Sequence, residues 1–527
     1  MSRRRAIQQK PTPRPLPAPA SIPPWQWFTL AAALPLAICA AKLNLDLWHD
    51  EIYTLDVFVA GGPRKIVTDY SLPNNHVFYS LLLWPVHLIS DNSFALRLPS
   101  FGFAAATIWL TFQLARRLND LRTGLLAVVL LGLNQMFLIH AMLVRGYSLS
   151  MFLFAWLFNL AVPAEGRSRT SQLAQIALAG AAFLYVMPTN VLFFLPLAAI
   201  GLAWEAWPPA VMSSANQAAA ARHANIRRIA KVAGAWTAAV VLAAACYAPI
   251  IQQVLNQRGP QTGYSVASLF ELIKNFVTPA QHDFWPLIPL FVLGLIVWIV
   301  RRARGLATSS PALPIAAAVC FCTVFALTAL LQISPFPRNF CPLLPLIAII
   351  EAWTLGELAN AVPWKSPAAE AKTTVAAALL VAAVLAPQLW TYPDRLAAYC
   401  RRHPGAHDGY FNYYAANYRP AAVVESLYQR TSNGQPYRIF FSDEDHLNLS
   451  YYFQRLGQPL AGGSEADQGE GWPLKIYVIA PAAADWPGLS RKSGLSEKTL
   501  RAFPELAEFG YYRLYGSTGP VSGDHAE

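Results

Sequence analysis

Runs of about 20 apolar residues without a charge, the length needed to cross a bilayer, recur through most of this sequence. One covers residues 25–41, and others begin near Leu98, Thr123, Gly146, Thr170, Val232, Phe284, Gly305, Asn339 and Thr373. Residues 170–204 are long enough for two spans turned at Pro188-Thr189-Asn190, which brings the total to about eleven. Hydrocarbon offers no partners to backbone amides and carbonyls, so segments of this kind must be helices. Only 13% of the 527 residues are charged, against roughly 25% in a soluble protein. An ordinary soluble enzyme and a disordered chain are both excluded. The expected fold is a polytopic α-helical membrane protein of about eleven transmembrane helices.

Positive charge sets the orientation of such a protein. Basic clusters fall at Arg3, Arg4 and Arg5; at Arg116, Arg117 and Arg122; at Arg167 and Arg169; at Arg222, Arg227, Arg228 and Lys231; at Arg301, Arg302 and Arg304; and at Lys365 and Lys372. With a cytoplasmic N-terminus, every one of these lands on the cytoplasmic side. The net charge of +11 is therefore topological, with the anionic membrane face as its partner, and no nucleic-acid signature accompanies it. Residues 1–24, polar and rich in proline, read as a disordered cytoplasmic tail followed by an uncleaved first helix. Residues 76–90 are too short for a span, and counting them as one would invert the charge pattern. They are expected to form an interfacial helix within a long first external loop, residues 42–97. From residue 392 to 527, strand-like stretches at 438–441, 474–479 and 511–515 alternate with helical ones, separated by Asn433-Gly434 and Gly462-Gly463. This predicts a small extracytoplasmic α/β domain. Cys320 and Cys322, one residue apart, fit neither a metal site nor a disulfide framework.

The first external loop holds the residues suited to chemistry: Trp48-His49-Asp50-Glu51, then Asp69-Tyr70, then Pro73-Asn74-Asn75-His76. Asp50 and Glu51 admit three readings: a solvated loop, a general base at the membrane surface, or a divalent-cation site completed by His49 or His76. Neighbouring residues on an extended segment point opposite ways, so the two carboxylates are not expected to share one task. Arg97, Arg145 and Arg338 lie at outer helix ends, where orientation leaves few basic residues. Each alone fits snorkelling to headgroups. Together they suit a phosphate, whose oxygens the guanidinium fork matches.

Taken in order, Trp48-His49-Asp50-Glu51, Pro73-Asn74-Asn75-His76-Val77-Phe78-Tyr79, Arg97-Leu98-Pro99-Ser100, Arg145-Gly146-Tyr147 and Pro337-Arg338-Asn339-Phe340 resemble the GT-C glycosyltransferases. The resemblance is to the group containing protein O-mannosyltransferases, aminoarabinose transferases and rhizobial galacturonosyltransferases, and it covers residues 25–391. It implies sugar transfer from a polyprenyl-phosphate donor to a lipid, glycan or protein acceptor on the outer side of a bacterial cytoplasmic membrane. By motif position, Asp50 is the base and Glu51 orients the base or the acceptor. Arg338, Arg145 and Arg97 bind the donor phosphate, and His49, Asn75, His76, Tyr79 and Tyr147 line the pocket. The family usually has Arg-Tyr where this chain has Arg338-Asn339. No cofactor is obligatory in this reading, and a divalent cation stays open. The competing reading is a transporter or flippase of lipid-linked sugars, which needs charges along the membrane path. Here the spans are nearly charge-free, Glu351 and Glu357 aside, and no internal repeat is evident.

Overall fold

The computed structural model describes residues 23–162, 169–206, 215–257, 267–268, 270, 287–305, 312–333, 335–360, 419–432, 437–442, 445–456, 475–481 and 484–518. Helix α1 covers Pro24–Ala41. The loop after it carries α2 (His49–Tyr53), a π-helical turn (Thr54–Val59), α3 (Gly62–Thr68) and α4 (Val77–Ile89). Then follow α5 (Ser93–Leu118), α6 (Leu121–Gly132), α7 (Gln135–His140), α8 (Tyr147–Ala161), α9 (Arg169–Val186), α10 (Val191–Ala206), α11 (Ala215–Tyr247) and α12 (Ile251–Asn256). The helical part continues with α13 (Leu287–Ala303), α14 (Ala312–Leu330) and α15 (Leu344–Asn360). Among the described residues, 6 helices are long and apolar enough to cross a membrane. The expected span near Thr373, the tail, the 391/392 boundary and the turns at Asn433-Gly434 and Gly462-Gly463 lie outside the described residues.

Pro188-Thr189-Asn190 forms a short 3-10 turn between α9 and α10. Asn190 holds it, donating to the Phe183 carbonyl at 2.7 Å and the Ser150 hydroxyl at 3.0 Å. The run beginning at Thr123 is less regular than its apolarity implies. α6 stops at Gly132, and Asn134 caps a new helix by accepting from the Phe137 amide at 2.9 Å. Residues 141–146 are then non-helical and buried. Backbone of this kind is tolerated at membrane depth only where protein groups satisfy it, and side chains of the first loop do so here. A Cβ on Gly132 would collide with Pro35 of α1, and one on Gly180 would lie 2.8 Å from Ala239 of α11, the small-residue contacts expected where helices pack without a hydrophobic drive.

The C-terminal part contains α16 (Pro420–Thr431), β1 (Tyr437–Phe441), α17 (His446–Arg455), β2 (Lys475–Pro481), α18 (Trp486–Ser493), α19 (Glu497–Arg501), β3 (Glu505–Phe509) and β4 (Tyr512–Gly516). The strand order is β1-β2-β4-β3, with β1 and β2 parallel and the other pairings antiparallel. Central β2 buries Ile476 to Ala480 without a break, as a strand covered on both faces should. β3 escapes a sequence reading because Glu505 and Glu508 interrupt its apolar pattern.

This small domain touches the first loop directly. The Leu47 amide donates to the Tyr452 hydroxyl at 2.8 Å, and Asp46 accepts from the Ala421 amide at 3.1 Å in the first turn of α16. Arg455 reaches the Asp91 carbonyl.

Candidate active site

The site grows from the turn that follows α1. α2 starts after Trp48, whose amide donates to Glu51 at 3.0 Å, the return half of a capping box. Glu51 is completely buried. Its Oε1 accepts from the Val144 amide at 2.8 Å and from Arg97 Nε at 3.4 Å, and its Oε2 accepts from Arg97 Nη2 at 2.9 Å. Arg97 spends its other donors on the Leu45 carbonyl and, at 3.1 Å, on the Asp46 carbonyl. All three of its nitrogens are thus committed to protein oxygens.

Asp50 belongs to a different cluster. Its Oδ2 pairs with Arg145 Nη1 and lies 3.4 Å from Arg338 Nη1, while its Oδ1 accepts from Asn74 at 3.3 Å. Asn74 Oδ1 faces Arg145 Nη2 at 3.4 Å. The Thr54 hydroxyl donates to the Asp50 carbonyl at 2.8 Å, fixing the backbone beneath the carboxylate. Arg145 is buried, whereas Asp50 and Arg338 keep 13% and 23% of their side chains exposed, so the cluster opens on their side. Arg338 arrives from the 3-10 turn at Pro337–Leu343, before α15.

His76, at the start of α4, is buried against Arg145. A backbone amide can only donate, so the Gly146 N–H bond to His76 Nδ1, at 2.7 Å, puts the proton of the neutral ring on Nε2. Burial first, then the Arg145 and Arg338 guanidiniums, hold its pKa well below the ordinary histidine value. The ring also stands edge-on to Tyr147, with centroids 5.0 Å apart. Tyr147 lies under Arg145, 5.4 Å from guanidinium carbon to ring centre. Gly146 is required for this approach, since a Cβ there would lie 3.0 Å from His76 Cβ and Nδ1.

The structure therefore sorts the expected residues. Asp50, Arg145, Arg338, His76 and Tyr147 come together. Arg97, expected beside the other two arginines, stands apart in the Glu51 pair. Asn75 is a buried loop pin: its amide donates to the Ile66 and Asp69 carbonyls at 2.8 Å each, and its oxygen accepts from Ser80 at 3.1 Å. The Tyr79 hydroxyl bonds Ser100 at 2.6 Å, and Ser100 donates onward to the Leu143 carbonyl. His49 is part-exposed, with its ring 6.5 Å from that of Tyr53. Asn74, which bridges Asp50 and Arg145, was passed over beside Asn75. Its only signal in the sequence is its place in the Pro73-Asn74-Asn75-His76 motif.

The residues weighed as cation ligands have protein partners in this structure, His49 aside. His76 Nδ1 is taken by an amide, Glu51 is saturated, and Asp50 is shared by two guanidiniums. Among the described residues no three His, Cys, Asp or Glu side chains converge.

Solved structures share this arrangement of helices. The chain is similar to the crystal structure of ArnT from Cupriavidus metallidurans in the apo state, at a TM-score of 0.51 and 14% identity over 93% of this chain and 98% of that one. It shares the fold of that structure. The same enzyme bound to undecaprenyl phosphate matches at a TM-score of 0.50, again with 14% identity over 93% and 98% of the two chains. An oligosaccharyltransferase of Archaeoglobus fulgidus in the apo form gives 0.46 at 12% identity, over 86% and 70%. No family model and no curated protein matches the sequence.

Proposed function

We propose that this chain is an inverting glycosyltransferase that moves a sugar from a polyprenyl-phosphate donor to a lipid, glycan or protein acceptor at the outer face of a bacterial cytoplasmic membrane. One observation carries the reading: a part-exposed carboxylate, Asp50, sits between two guanidiniums in a loop that the charge pattern puts outside. A transport path would call for charges within the spans. The fold shared with ArnT, one of whose structures holds undecaprenyl phosphate, supports a lipid-phosphate donor.

In the reaction, Asp50 takes the proton of the acceptor nucleophile as that atom attacks the anomeric carbon. The bond from that carbon to the phosphate oxygen breaks on the opposite face, inverting the centre. Polyprenyl phosphate departs as an anion, so guanidinium charge from Arg338 and Arg145 replaces a leaving-group acid. Glu51 and Arg97 act at one remove. Glu51 adjoins Asp50 in sequence and binds the amide of Val144, the neighbour of Arg145, so this pair sets the spacing of base and phosphate ligand. We assign Asn75 and Tyr79 the same supporting role.

The topology follows the charge pattern: about eleven spans, a cytoplasmic N-terminus, a transferase domain over residues 25–391 and an extracytoplasmic domain over residues 392–527. The exposed face of α4, with Leu82, Leu88 and Ile89, lies in the outer leaflet. The test is to supply the reconstituted protein with lipid-linked sugars and acceptor membranes from its own source. Protein-dependent release of polyprenyl monophosphate with an inverted glycosidic product is expected. Vectorial movement of intact lipid-linked sugar, with no release, would establish the flippase reading instead.

A further inference from the structure

The Asp50 cluster holds a buried donor without an acceptor. Arg145 is 2% exposed, yet its Nε has no hydrogen-bond partner. Its Nη2 lies 3.2 Å from His76 Nε2. That nitrogen carries the ring proton, because Nδ1 is occupied by the Gly146 amide, so two N–H donors face each other, and of the two only Arg145 Nη2 has an acceptor nearby, the Asn74 oxygen at 3.4 Å. Arg338 adds a second guanidinium on the same carboxylate oxygen, Oδ2 of Asp50, which is thus divided between two arginines. Buried donors without acceptors, such as Arg145 Nε, are costly. What would meet them is a small anion with several oxygens.

We propose that Asp50 is an internal placeholder for the donor's phosphate, and that binding the donor releases it to act as a base. This rests on the donor reading above. An incoming phosphate offers its oxygens to Arg145 Nε and Nη2, His76 Nε2 and Arg338, drawing both guanidiniums away from the carboxylate. Asp50 is then held only by Asn74 and turns its freed Oδ2 toward the acceptor. Before the donor arrives, the carboxylate oxygen is engaged by two cations and is not turned toward an acceptor. The consequence is order: donor first, acceptor second, with little wasteful activation of water in the empty site.

The placeholder and the donor phosphate compete for the same cations. Removing the placeholder's charge must therefore strengthen phosphate binding while it destroys transfer. A residue that merely supported the fold would weaken both. The experiment measures binding of a polyprenyl monophosphate, with the neutral polyprenol as control, to the full chain in lipid nanodiscs. Asp50→Asn is expected to bind the phosphate about tenfold more tightly than wild type, the competition of one charge-assisted hydrogen bond, with polyprenol binding unchanged. Asp50→Ser serves as a second variant, and the rise in melting temperature on adding the phosphate gives a second readout of the same preference. Equal or weaker phosphate binding by folded variants overturns the placeholder while leaving the donor reading intact. If wild type and variants alike bind polyprenol as well as the phosphate, the donor reading itself fails and the placeholder with it.

Discussion

Asp50 and Glu51 are adjacent carboxylates on one short helix, and their surroundings differ in almost every respect. Glu51 is sealed from solvent and satisfied by two backbone amides and a guanidinium that is itself fully engaged. Asp50 is part-exposed and shares one oxygen between two arginines, of which Arg145 has a buried Nε with no acceptor. A saturated buried carboxylate holds a fold together. An open one beside an under-satisfied cation is available for chemistry. The guanidiniums divide in the same way, Arg97 with the first and Arg145 and Arg338 with the second.

Exchanging the two carboxylates for their amides breaks that comparison if it is wrong. Asp50→Asn should fold and insert normally but lose about 10²–10⁴ in kcat, the worth of a general base, in a steady-state transfer assay. Glu51→Gln should do the reverse, destabilising the protein by about 3–5 kcal/mol because it strands the buried Arg97 charge. Thermal melting in nanodiscs measures this. Adding Arg97→Met to that variant should recover part of the loss, and no recovery would mean the pair is not the unit described.

His76 sharpens the comparison from the site's other wall. Its folded pKa lies well below the ordinary histidine value, so below about pH 6.5 the unfolded chain binds a proton the folded one refuses. Its contribution is complete above that pH and is lost as the pH falls, at up to about 1.4 kcal/mol per pH unit. His76→Gln should flatten melting temperature between pH 7 and pH 5.5 by that amount, since glutamine does not titrate. The smallest effect belongs to the C-terminal domain. Tyr452→Phe removes only the hydroxyl that accepts from Leu47, and should cost about 1 kcal/mol, read as a shift in the same melt.

Much of the helical part is legible in the sequence, because a membrane chain writes its helices as apolar runs. Residues 25–41 become α1, and Pro188-Thr189-Asn190 becomes a turn. The few charges that the positive-charge rule assigns to the outer side include Asp50, Arg145 and Arg338. The illegible part depends on pairings across distance. Arg97, Arg145 and Arg338 look alike in sequence, and only packing shows that the first is consumed by Glu51 and two carbonyls. The break after α6 is hidden as well, since its cause is a single capping side chain, Asn134, inside an otherwise apolar run. Asp46 and Tyr452, which join the C-terminal domain to the loop, belong to no pattern and meet only through the fold.

The central claim is that Asp50 serves sugar transfer from a lipid phosphate on the outer face. Its most direct test is mass analysis of envelope lipids and glycans from a strain lacking this chain, complemented with wild type or with Asp50→Asn at matched expression. The account predicts loss of one glycosyl residue from an acceptor and accumulation of its polyprenyl-phosphate sugar, both reversed by wild type and neither by Asp50→Asn. An unchanged glycan profile, or full restoration by Asp50→Asn, would contradict it.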